Sequence, residues 1–262
     1  MLINLKDKVA IVTGAAQGIG KTIAQELANE GVHLALWDND EVRLEETAKE
    51  LYATHGNVYA FKCDVSSEEE VDTALAKTLV QFGTIDILVA NAGIANPTKF
   101  LDISEKDWSK VYDINVKGVF LCSKAVAPTL KKKKFGRIII ASSFAAIIPA
   151  IGGAAYASSK AAVASLARVM AAELGPWNIT VNAYAPGMIP SNMSGIEEMN
   201  DAQKNKMLNT LSIREWGQAK DIASLVIFLA SDQARYITGS LIDASGGKFA
   251  VQFAEQAYEK NE

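Results

Sequence analysis

Apolar residues recur along this chain in short, uninterrupted runs that alternate with longer segments of helical periodicity. Six runs predict β-strands: Val9–Val12, Val32–Trp37, Val58–Phe61, Ile85–Val89, Ile138–Ile140 and Ile179–Tyr184. Three segments of helical pattern lie between the first four of these runs: Ile19–Asn29, Glu41–Thr54 and Glu68–Gln81. Strands without apolar/polar alternation are typical of a parallel sheet that is covered on both faces. The pattern therefore predicts an α/β fold, a doubly wound parallel sheet of Rossmann type with helices on both faces.

The length and composition agree with one globular domain over residues 1–262. The chain has 262 residues, of which 49% are apolar and 21% are charged, the balance of an ordinary soluble protein. This apolar content excludes intrinsic disorder, and two cysteines are too few for a disulfide scaffold. No linker, internal repeat or low-complexity tract divides the sequence.

The charge balance bears on partners and location. Lys plus Arg total 26 and Asp plus Glu total 30, a formal net charge of −4, so we expect no nucleic acid partner. The sequence has no uncharged apolar stretch of about 18 residues, and its first residues lack the apolar segment of a signal peptide. We therefore expect a cytoplasmic protein that does not bind a membrane.

A glycine-rich turn follows the first predicted strand. Gly14, Gly18 and Gly20 have the spacing G-x-x-x-G-x-G, with Gln17 and Ile19 beside them, and a predicted helix begins there. Glycine permits a tight turn and lets the backbone approach a pyrophosphate, which the free N–H groups of the helix N-terminus bind. The order strand, turn, helix favours a dinucleotide site, although such a turn also occurs for structural reasons alone.

An acidic residue follows the second predicted strand. At this position Asp38 suits the ribose 2′-hydroxyl of NAD and repels the 2′-phosphate of NADP. Neighbouring positions of the two turns supply no cation for that phosphate: Ala15, Ala16, Gln17 and Asn39. We therefore expect NAD rather than NADP as the cofactor, with a helix cap as the alternative role of the acid.

A tyrosine and a lysine four residues apart form the most specific chemical pattern. Tyr156 and Lys160 stand at the start of a predicted helix, Ala157–Leu174, on one helical face. A phenol has a pKa of about 10, and a nearby ammonium lowers that pKa toward neutral pH. Ser142 and Ser143 follow the fifth predicted strand, where a hydroxyl can face the same pocket. The spacing of thirteen residues before the tyrosine selects Ser143, and Ser142 is then expected to pack within the strand. The four-residue spacing of Tyr156 and Lys160 by itself also occurs on ordinary amphipathic helices. Its combination with the glycine turn and Asp38 makes a catalytic role the better interpretation.

With these motifs, the chain resembles the short-chain dehydrogenase/reductase family over roughly Lys6 to Gly247, nearly its full length. Further family marks are Cys63-Asp64-Val65, Asn91-Ala92-Gly93, Asn115, Pro186-Gly187 and Ser245-Gly246-Gly247. The resemblance implies an NAD-dependent oxidoreductase that transfers a hydride between nicotinamide and a secondary alcohol or carbonyl, without a metal. It also implies a homotetramer, a common assembly of this family.

The resemblance assigns four catalytic roles. Ser143 would hydrogen-bond the substrate oxygen, and Tyr156 would exchange a proton with that oxygen. Lys160 would lower the pKa of the tyrosine and bind the nicotinamide ribose. Asn115 would hold a water molecule on the proton-relay path.

The resemblance also implies which residues bind the cofactor. Asp64 and Val65 would flank the adenine, Asn91 would touch the adenosine ribose side, and Ile189 would contact the nicotinamide amide. Ser191 stands where the family often has Thr, and its hydroxyl can still donate a hydrogen bond. The complete predicted set is Gly14, Gln17, Gly18, Ile19, Gly20, Asp38, Asp64, Val65, Asn91, Ala92, Gly93, Tyr156, Lys160, Pro186, Gly187, Ile189 and Ser191.

The substrate pocket is expected beyond the carboxyl ends of the strands, under a polar, Met-rich lid over residues 188–214. The resemblance implies these wall residues: Asn96, Ser143, Phe144, Ala145, Ile151, Tyr184 and Met188. No Arg or Lys is among them, which argues against phosphorylated or acidic substrates and favours a neutral polyol, sugar or cyclic alcohol. The tail, residues 248–262, carries aromatic side chains that we expect to cover a subunit interface or a neighbour's pocket.

Two alternative functions remain open. A 3-oxoacyl thioester reductase of the same family would keep the chemistry and change the substrate. Asp38 argues against it, because such biosynthetic relatives usually use NADPH. The other alternative is a non-catalytic regulatory protein that binds the cofactor, against which the intact residues Asn115, Ser143, Tyr156 and Lys160 argue.

Overall fold

Seven parallel strands form the centre of the computed structural model, which describes residues 3–191 and 194–258. They are β1 (Val9–Thr13), β2 (His33–Asp38), β3 (Val58–Lys62), β4 (Ile87–Ala90), β5 (Gly136–Ala141), β6 (Ile179–Pro186) and β7 (Leu241–Ala244). Their order in the sheet is β3-β2-β1-β4-β5-β6-β7, and every neighbouring pair is parallel. The chain reverses its direction of travel across the sheet between β1 and β4, which opens a crevice at their carboxyl ends.

Helices cover both faces of this sheet, which confirms the predicted doubly wound architecture. They are α1 (Gly18–Asn29), α2 (Glu41–His55), α3 (Glu68–Phe82), α4 (Glu105–Tyr112), α5 (Gly118–Lys133), α6 (Ala154–Leu174), α7 (Asp201–Leu208) and α8 (Ala219–Ala230). One apolar core lies between the sheet and α1, α2 and α8, and the other between the sheet and α3, α5 and α6. In β1, Val12 faces the first core and Ile11 the second, so both kinds of position must be apolar.

The sequence pattern missed the last strand and misplaced one helix start. β7 is only half-buried and contains Asp243, so it lacks the uninterrupted apolar run that marks the other strands. Helix α6 begins at Ala154 rather than Ala157, which places Tyr156 inside its first turn. In the described part of the chain, no helix has the length and apolar character needed to cross a membrane.

Candidate active site and cofactor cradle

The carboxyl ends of five strands bring the predicted site residues to one edge of the sheet. The glycine turn follows β1, Asp38 ends β2, Asn91 follows β4, Ser143 follows β5 by two residues, and Pro186 ends β6. Parallel strands all end at the same edge, so residues far apart in sequence meet around the crevice between β1 and β4.

The glycine turn is packed tightly against itself and the end of β4. Gly14 has φ +66° and Gly18 has φ +59°, in the left-handed region that favours glycine. A Cβ on Gly20 would lie 2.0 Å from the carbonyl oxygen of Gly14, so any side chain there would force the turn apart. Gln17 precedes α1 and makes no side-chain capping hydrogen bond, which leaves the first N–H groups of the helix for another acceptor.

Asn91 braces this turn through hydrogen bonds that the sequence did not reveal. Its Nδ2 donates to the carbonyl oxygens of Thr13 (3.0 Å) and Gly14 (3.3 Å), and its backbone N–H donates to Thr13 Oγ1 (3.0 Å). The hydroxyl of Tyr184 donates to Asn91 Oδ1 at 3.0 Å. Thr13 thus holds the ends of β1 and β4 together, and the amide of Asn91 is engaged with the protein.

Tyr184 corrects the prediction that this residue lines the substrate pocket. Its side chain is 0% exposed and lies in the core below the crevice. Burial raises the pKa of its phenol well above the usual value, so the hydroxyl stays protonated and donates to Asn91. The residue supports the floor of the site and does not form an open wall.

Asp38 is held against the glycine turn, as expected for a residue facing the nucleotide. Its Oδ2 accepts a hydrogen bond from Ala16 N at 3.0 Å, and its Oδ1 accepts one from Asp40 N at 3.0 Å. At the same turn, Arg43 Nη1 donates to Gln17 Oε1 at 3.0 Å. The sequence analysis looked for cations only within the two turns. It missed Arg43 because this residue lies within helix α2, five residues beyond Asp38.

Tyr156 and Lys160 lie one turn apart on α6, facing the end of β5. Lys160 Nζ is 5.7 Å from the centroid of the Tyr156 ring and donates to Ala141 O at 2.9 Å. Ser142 Oγ donates to Lys160 O at 2.9 Å, which ties the helix to the strand end. The Ser143 side chain lies close enough to the Tyr156 hydroxyl to influence its pKa, so three of the four predicted catalytic residues are brought together.

Burial shifts the pKa values of this pair in opposite directions. It lowers the pKa of Lys160 to about 8, because no carboxylate compensates the cost of a desolvated ammonium. It raises the pKa of Tyr156, and the hydrogen bond with Ser143 opposes that rise only in part. In this structure the net shift of the phenol is therefore upward, with burial as its largest cause.

Asn115 lies in a wider helical turn than the sequence indicated. The residues Asp113–Lys117 form a π-helical segment between α4 and α5, and Asn115 is completely buried within it. Its Oδ1 accepts from Ile94 N (2.8 Å), and its Nδ2 donates to Ile94 O (3.0 Å) and to Ser159 Oγ (3.0 Å). The side chain is therefore fully engaged in linking the loop after β4 to α6.

Gly93 lies against two of these catalytic side chains, Lys160 and Asn115. A Cβ at this position would lie 3.1 Å from Lys160 Nζ and 3.2 Å from Asn115 Oδ1. In the described part of the chain, one acceptor, Ala141 O, is hydrogen-bonded to the lysine ammonium, which has three donors. The donors of this ammonium beyond the one that Ala141 O accepts suit the hydroxyl groups of a ribose, so Lys160 fits a nucleotide cofactor.

The remaining predicted cofactor residues follow the ends of β3, β4 and β6. Asp64 Oδ1 accepts hydrogen bonds from Ser66, and the side chain of Val65 packs against Gly118. Gly187 N donates to Ala244 O at 3.0 Å, which joins the end of β6 to β7. The next two residues, Met188 and Ile189, are 8% and 7% exposed. Ala92 N donates to Thr13 Oγ1 at 3.0 Å, and Ser191 N donates to Ser194 Oγ at 3.0 Å.

Two adjacent loops form the mouth of the predicted substrate site. Phe144 and Ala145 lie in a short 3-10 turn directly after Ser143. Further along this loop Ile151 is 97% exposed, and Ile147 and Ile148 are about half exposed. The second loop contains Asn96, whose Oδ1 accepts from Thr98 Oγ1 at 3.0 Å, and Thr98 N donates to Gly152 O at 2.9 Å. The mouth is more apolar than the sequence analysis anticipated.

The tail contacts the end of the predicted lid of the same chain. Tyr258 Oη donates to Ser212 O at 2.8 Å and accepts from Arg214 N at 3.3 Å. Lys248 Nζ donates to Thr210 Oγ1. Residues 192 and 193 of the predicted lid and residues 259–262 of the tail lie outside the described residues.

Comparison with known proteins agrees with this architecture. A family model described as Enoyl-(Acyl carrier protein) reductase matches residues 14–248. The chain is 38% identical over 243 residues to 3-oxoacyl-[acyl-carrier-protein] reductase FabG of Staphylococcus aureus, covering 92% of this chain and 98% of that protein. It is 38% identical over 245 residues to Dehydrogenase/reductase SDR family member 4 of Homo sapiens, covering 93% and 88%.

A solved structure gives the same result for the fold. The crystal structure of gox2181 superposes with a TM-score of 0.91 at 33% sequence identity, covering 95% of this chain and 98% of that one. The sequence relatives, the family model and the seven-stranded parallel sheet therefore agree. The chain belongs to the short-chain dehydrogenase/reductase family, whose members are oxidoreductases that use a nicotinamide cofactor.

Proposed function

We propose that the protein is an NAD-dependent oxidoreductase that interconverts a secondary alcohol and a carbonyl compound. The observation that carries this proposal is the placement of Tyr156 and Lys160 one turn apart on α6, with the Ser143 side chain close to the Tyr156 hydroxyl. An inert cofactor-binding protein does not need a phenol, a hydroxyl and a buried ammonium at one crevice, because each is costly to bury.

Each of these side chains has a separate role in the proposed reaction. The nicotinamide, when bound, supplies or accepts the hydride. The hydroxyl of Ser143 orients the substrate oxygen, and the Tyr156 phenol gives its proton to that oxygen during carbonyl reduction. Because burial raises the pKa of Tyr156, the phenol is protonated at neutral pH, which suits the reductive direction.

Lys160 and Asn115 support the proton transfer. With its pKa lowered to about 8, the lysine can gain and lose a proton near neutral pH and can hold ribose hydroxyls with its remaining donors. The side chain of Asn115 is bonded to Ile94 and Ser159, so a relay water would bind a backbone carbonyl of the π-helical segment. We therefore assign the Asn115 side chain the positioning of this segment.

Asp38 supports NAD as the preferred cofactor. Its carboxylate is fixed by two backbone N–H groups, that of Ala16 in the glycine turn and that of Asp40 in the loop after β2, and it can still accept hydrogen bonds from both ribose hydroxyls. A 2′-phosphate at that place would meet a carboxylate whose charge the N–H groups stabilise.

The proposed substrate is a neutral alcohol or carbonyl compound, with polyols, sugars and cyclic alcohols as the first class to test. A second candidate, a 3-oxoacyl thioester, is favoured by the exposed Ile147, Ile148 and Ile151 at the mouth, since an acyl chain can cover apolar side chains. The relative from Staphylococcus aureus is a 3-oxoacyl-[acyl-carrier-protein] reductase, which agrees with this candidate.

One assay separates these possibilities. Purified protein is given NAD⁺ or NADP⁺ with alcohols of each class, and NADH or NADPH with 3-oxoacyl thioesters and ketones, while nicotinamide absorbance is followed. We expect NAD-linked turnover that Tyr156→Phe abolishes and that Tyr236→Phe, a change at a 93% exposed tyrosine, leaves intact. Binding of cofactor without turnover on any class would support a regulatory protein and overturn the proposal.

We also propose a homotetramer built on the two long helices α5 and α6. Apolar side chains on these helices remain exposed, with Phe120 at 45% and Val169 at 53%. Exposed apolar side chains on neighbouring helices are typical of subunit interfaces. Sedimentation velocity is the test, and a stable monomer across micromolar concentrations would refute this assembly.

A further inference from the structure

Arg43 places a cation at the same glycine turn as the carboxylate that we propose selects NAD. The residue lies in the first turn of α2, and its Nη1 donates to Gln17 Oε1 in the glycine turn at 3.0 Å. Asp38 is bonded to Ala16 of the same turn at 3.0 Å. The guanidinium and the carboxylate therefore approach the glycine turn at neighbouring residues, from the two sides of the loop that joins β2 to α2.

Arg43 can exchange its present hydrogen-bond and ion-pair partners at a low cost in free energy. Gln17 is neutral, and the salt bridge from Arg43 Nε to Asp40 Oδ2 is 3.5 Å long between side chains that are 56% and 40% exposed. Surface ion pairs of this kind contribute little to stability, so turning the guanidinium leaves no buried group unpaired. A guanidinium is always charged and matches the oxygens of a phosphate with two parallel hydrogen bonds.

We propose that Arg43 is a specificity-determining residue that binds the 2′-phosphate of NADP(H) and so weakens the discrimination exerted by Asp38. The protein then accepts both cofactors, with a moderate rather than an absolute preference for NAD(H). Asp38 sets the preference for NAD(H) because its carboxylate repels the 2′-phosphate. Arg43 limits that preference because its guanidinium attracts the same phosphate. This inference rests on the proposed function, because it takes the crevice at Asp38 to be the adenosine site.

The test measures binding and requires no substrate. NADH and NADPH are titrated into the protein, and dissociation constants are taken from nicotinamide fluorescence and calorimetry. We expect Arg43→Ala to weaken NADPH about ten-fold or more, the loss of a charge-assisted pair, and to change NADH less than about two-fold. Arg43→Lys should lie between, because it keeps the charge and loses the planar fork.

Two control variants make the result specific. Arg235→Ala removes the same charge from an exposed position and should change neither dissociation constant. Asp38→Ser should shift the preference the other way, by weakening NADH and strengthening NADPH. Thermal unfolding of each variant checks that the fold is intact.

The outcomes distinguish failure of the role proposed for Arg43 from failure of the proposed function. Equal effects of Arg43→Ala on both cofactors, or no effect on either, would overturn the role of Arg43 while the shift caused by Asp38→Ser upholds the adenosine site. Failure of the unmodified protein to bind either cofactor would overturn both. A selective loss of NADPH affinity confirms the assignment.

Discussion

The Lys160 ammonium lies 5.7 Å from the centroid of the Tyr156 ring and donates to the carbonyl oxygen of Ala141 at 2.9 Å. It is buried and paired with a backbone dipole rather than with a carboxylate. Burial therefore lowers the pKa of this lysine to about 8 and raises the pKa of the tyrosine. This pair determines how stability and rate should depend on pH.

Carbonyl reduction should slow as pH rises through about 8. Below that value Lys160 carries the proton that replenishes Tyr156, and above it the lysine is neutral. The tyrosine keeps its own proton over this range because its pKa is raised. The kcat of reduction, measured from about pH 6 to 10 with saturating cofactor, checks this, and a rate independent of pH across that range contradicts the relay.

Lys160→Met should stabilise the protein without cofactor while abolishing turnover. The pKa of the folded-state lysine, about 8, lies below its ordinary value of 10.5, so the unfolded chain binds more protons between these values and stability rises with pH there. The destabilisation is complete below about 8 and disappears as pH rises through 10.5. We therefore expect a melting temperature several degrees above that of the unmodified protein at neutral pH, and convergence of the two at high pH. A lower melting temperature at neutral pH would contradict this.

Ser143→Ala and Ser142→Ala should have different effects although the residues are adjacent. Ser143 lies close to the Tyr156 hydroxyl, so its loss should lower kcat by about 100-fold or more with little change in stability. Ser142 Oγ donates to Lys160 O, so its loss should cost about 1 kcal/mol of unfolding free energy and retain most of the activity. Urea unfolding and steady-state kinetics on both variants test the distinction, and equal activity losses would reject it.

Gly93→Ala should block cofactor binding more than it perturbs folding. The added Cβ would lie 3.1 Å from Lys160 Nζ and 3.2 Å from Asn115 Oδ1, so it would displace the ammonium that we propose holds the nicotinamide ribose. We expect the dissociation constant of NADH to rise about ten-fold, since one lost contact is worth on the order of 1.4 kcal/mol. Gly175→Ala is the matched control, because a Cβ there meets no atom within 4 Å. The same loss in both variants would argue against the assignment.

Tyr258→Phe should loosen the end of the predicted lid. The hydroxyl bridges Ser212 O and the N–H of Arg214, and the tail lies beyond residue 248, where the family match ends. Removing the bridge should raise KM several-fold with little change in kcat, because substrate closure weakens and the chemistry is unaltered. Faster limited proteolysis within residues 194–214 would accompany it. An unchanged KM and cleavage rate would show that the tail has no part in closure.

Much of the architecture was predictable because its signals are local. Short runs such as Val9–Val12 are apolar at every position when a strand is covered on both faces, so they indicate a parallel sheet directly. The spacing of Gly14, Gly18 and Gly20 and the four-residue interval from Tyr156 to Lys160 are equally local, since a turn or one helical turn sets them. The sequence by itself therefore determined the fold class and proposed the reaction chemistry.

Only the tertiary structure decided how these groups interact. Tyr184 and Pro186 lie on the same strand, β6. No spacing in the sequence shows that the Tyr184 side chain is buried beneath the crevice. The hydrogen bond between Arg43 and Gln17 joins residues 26 positions apart, and its formation depends on how α2 packs beside the glycine turn. The direction of the Tyr156 pKa likewise depends on desolvation, a property of the whole surrounding volume that adjacent residues in sequence do not encode.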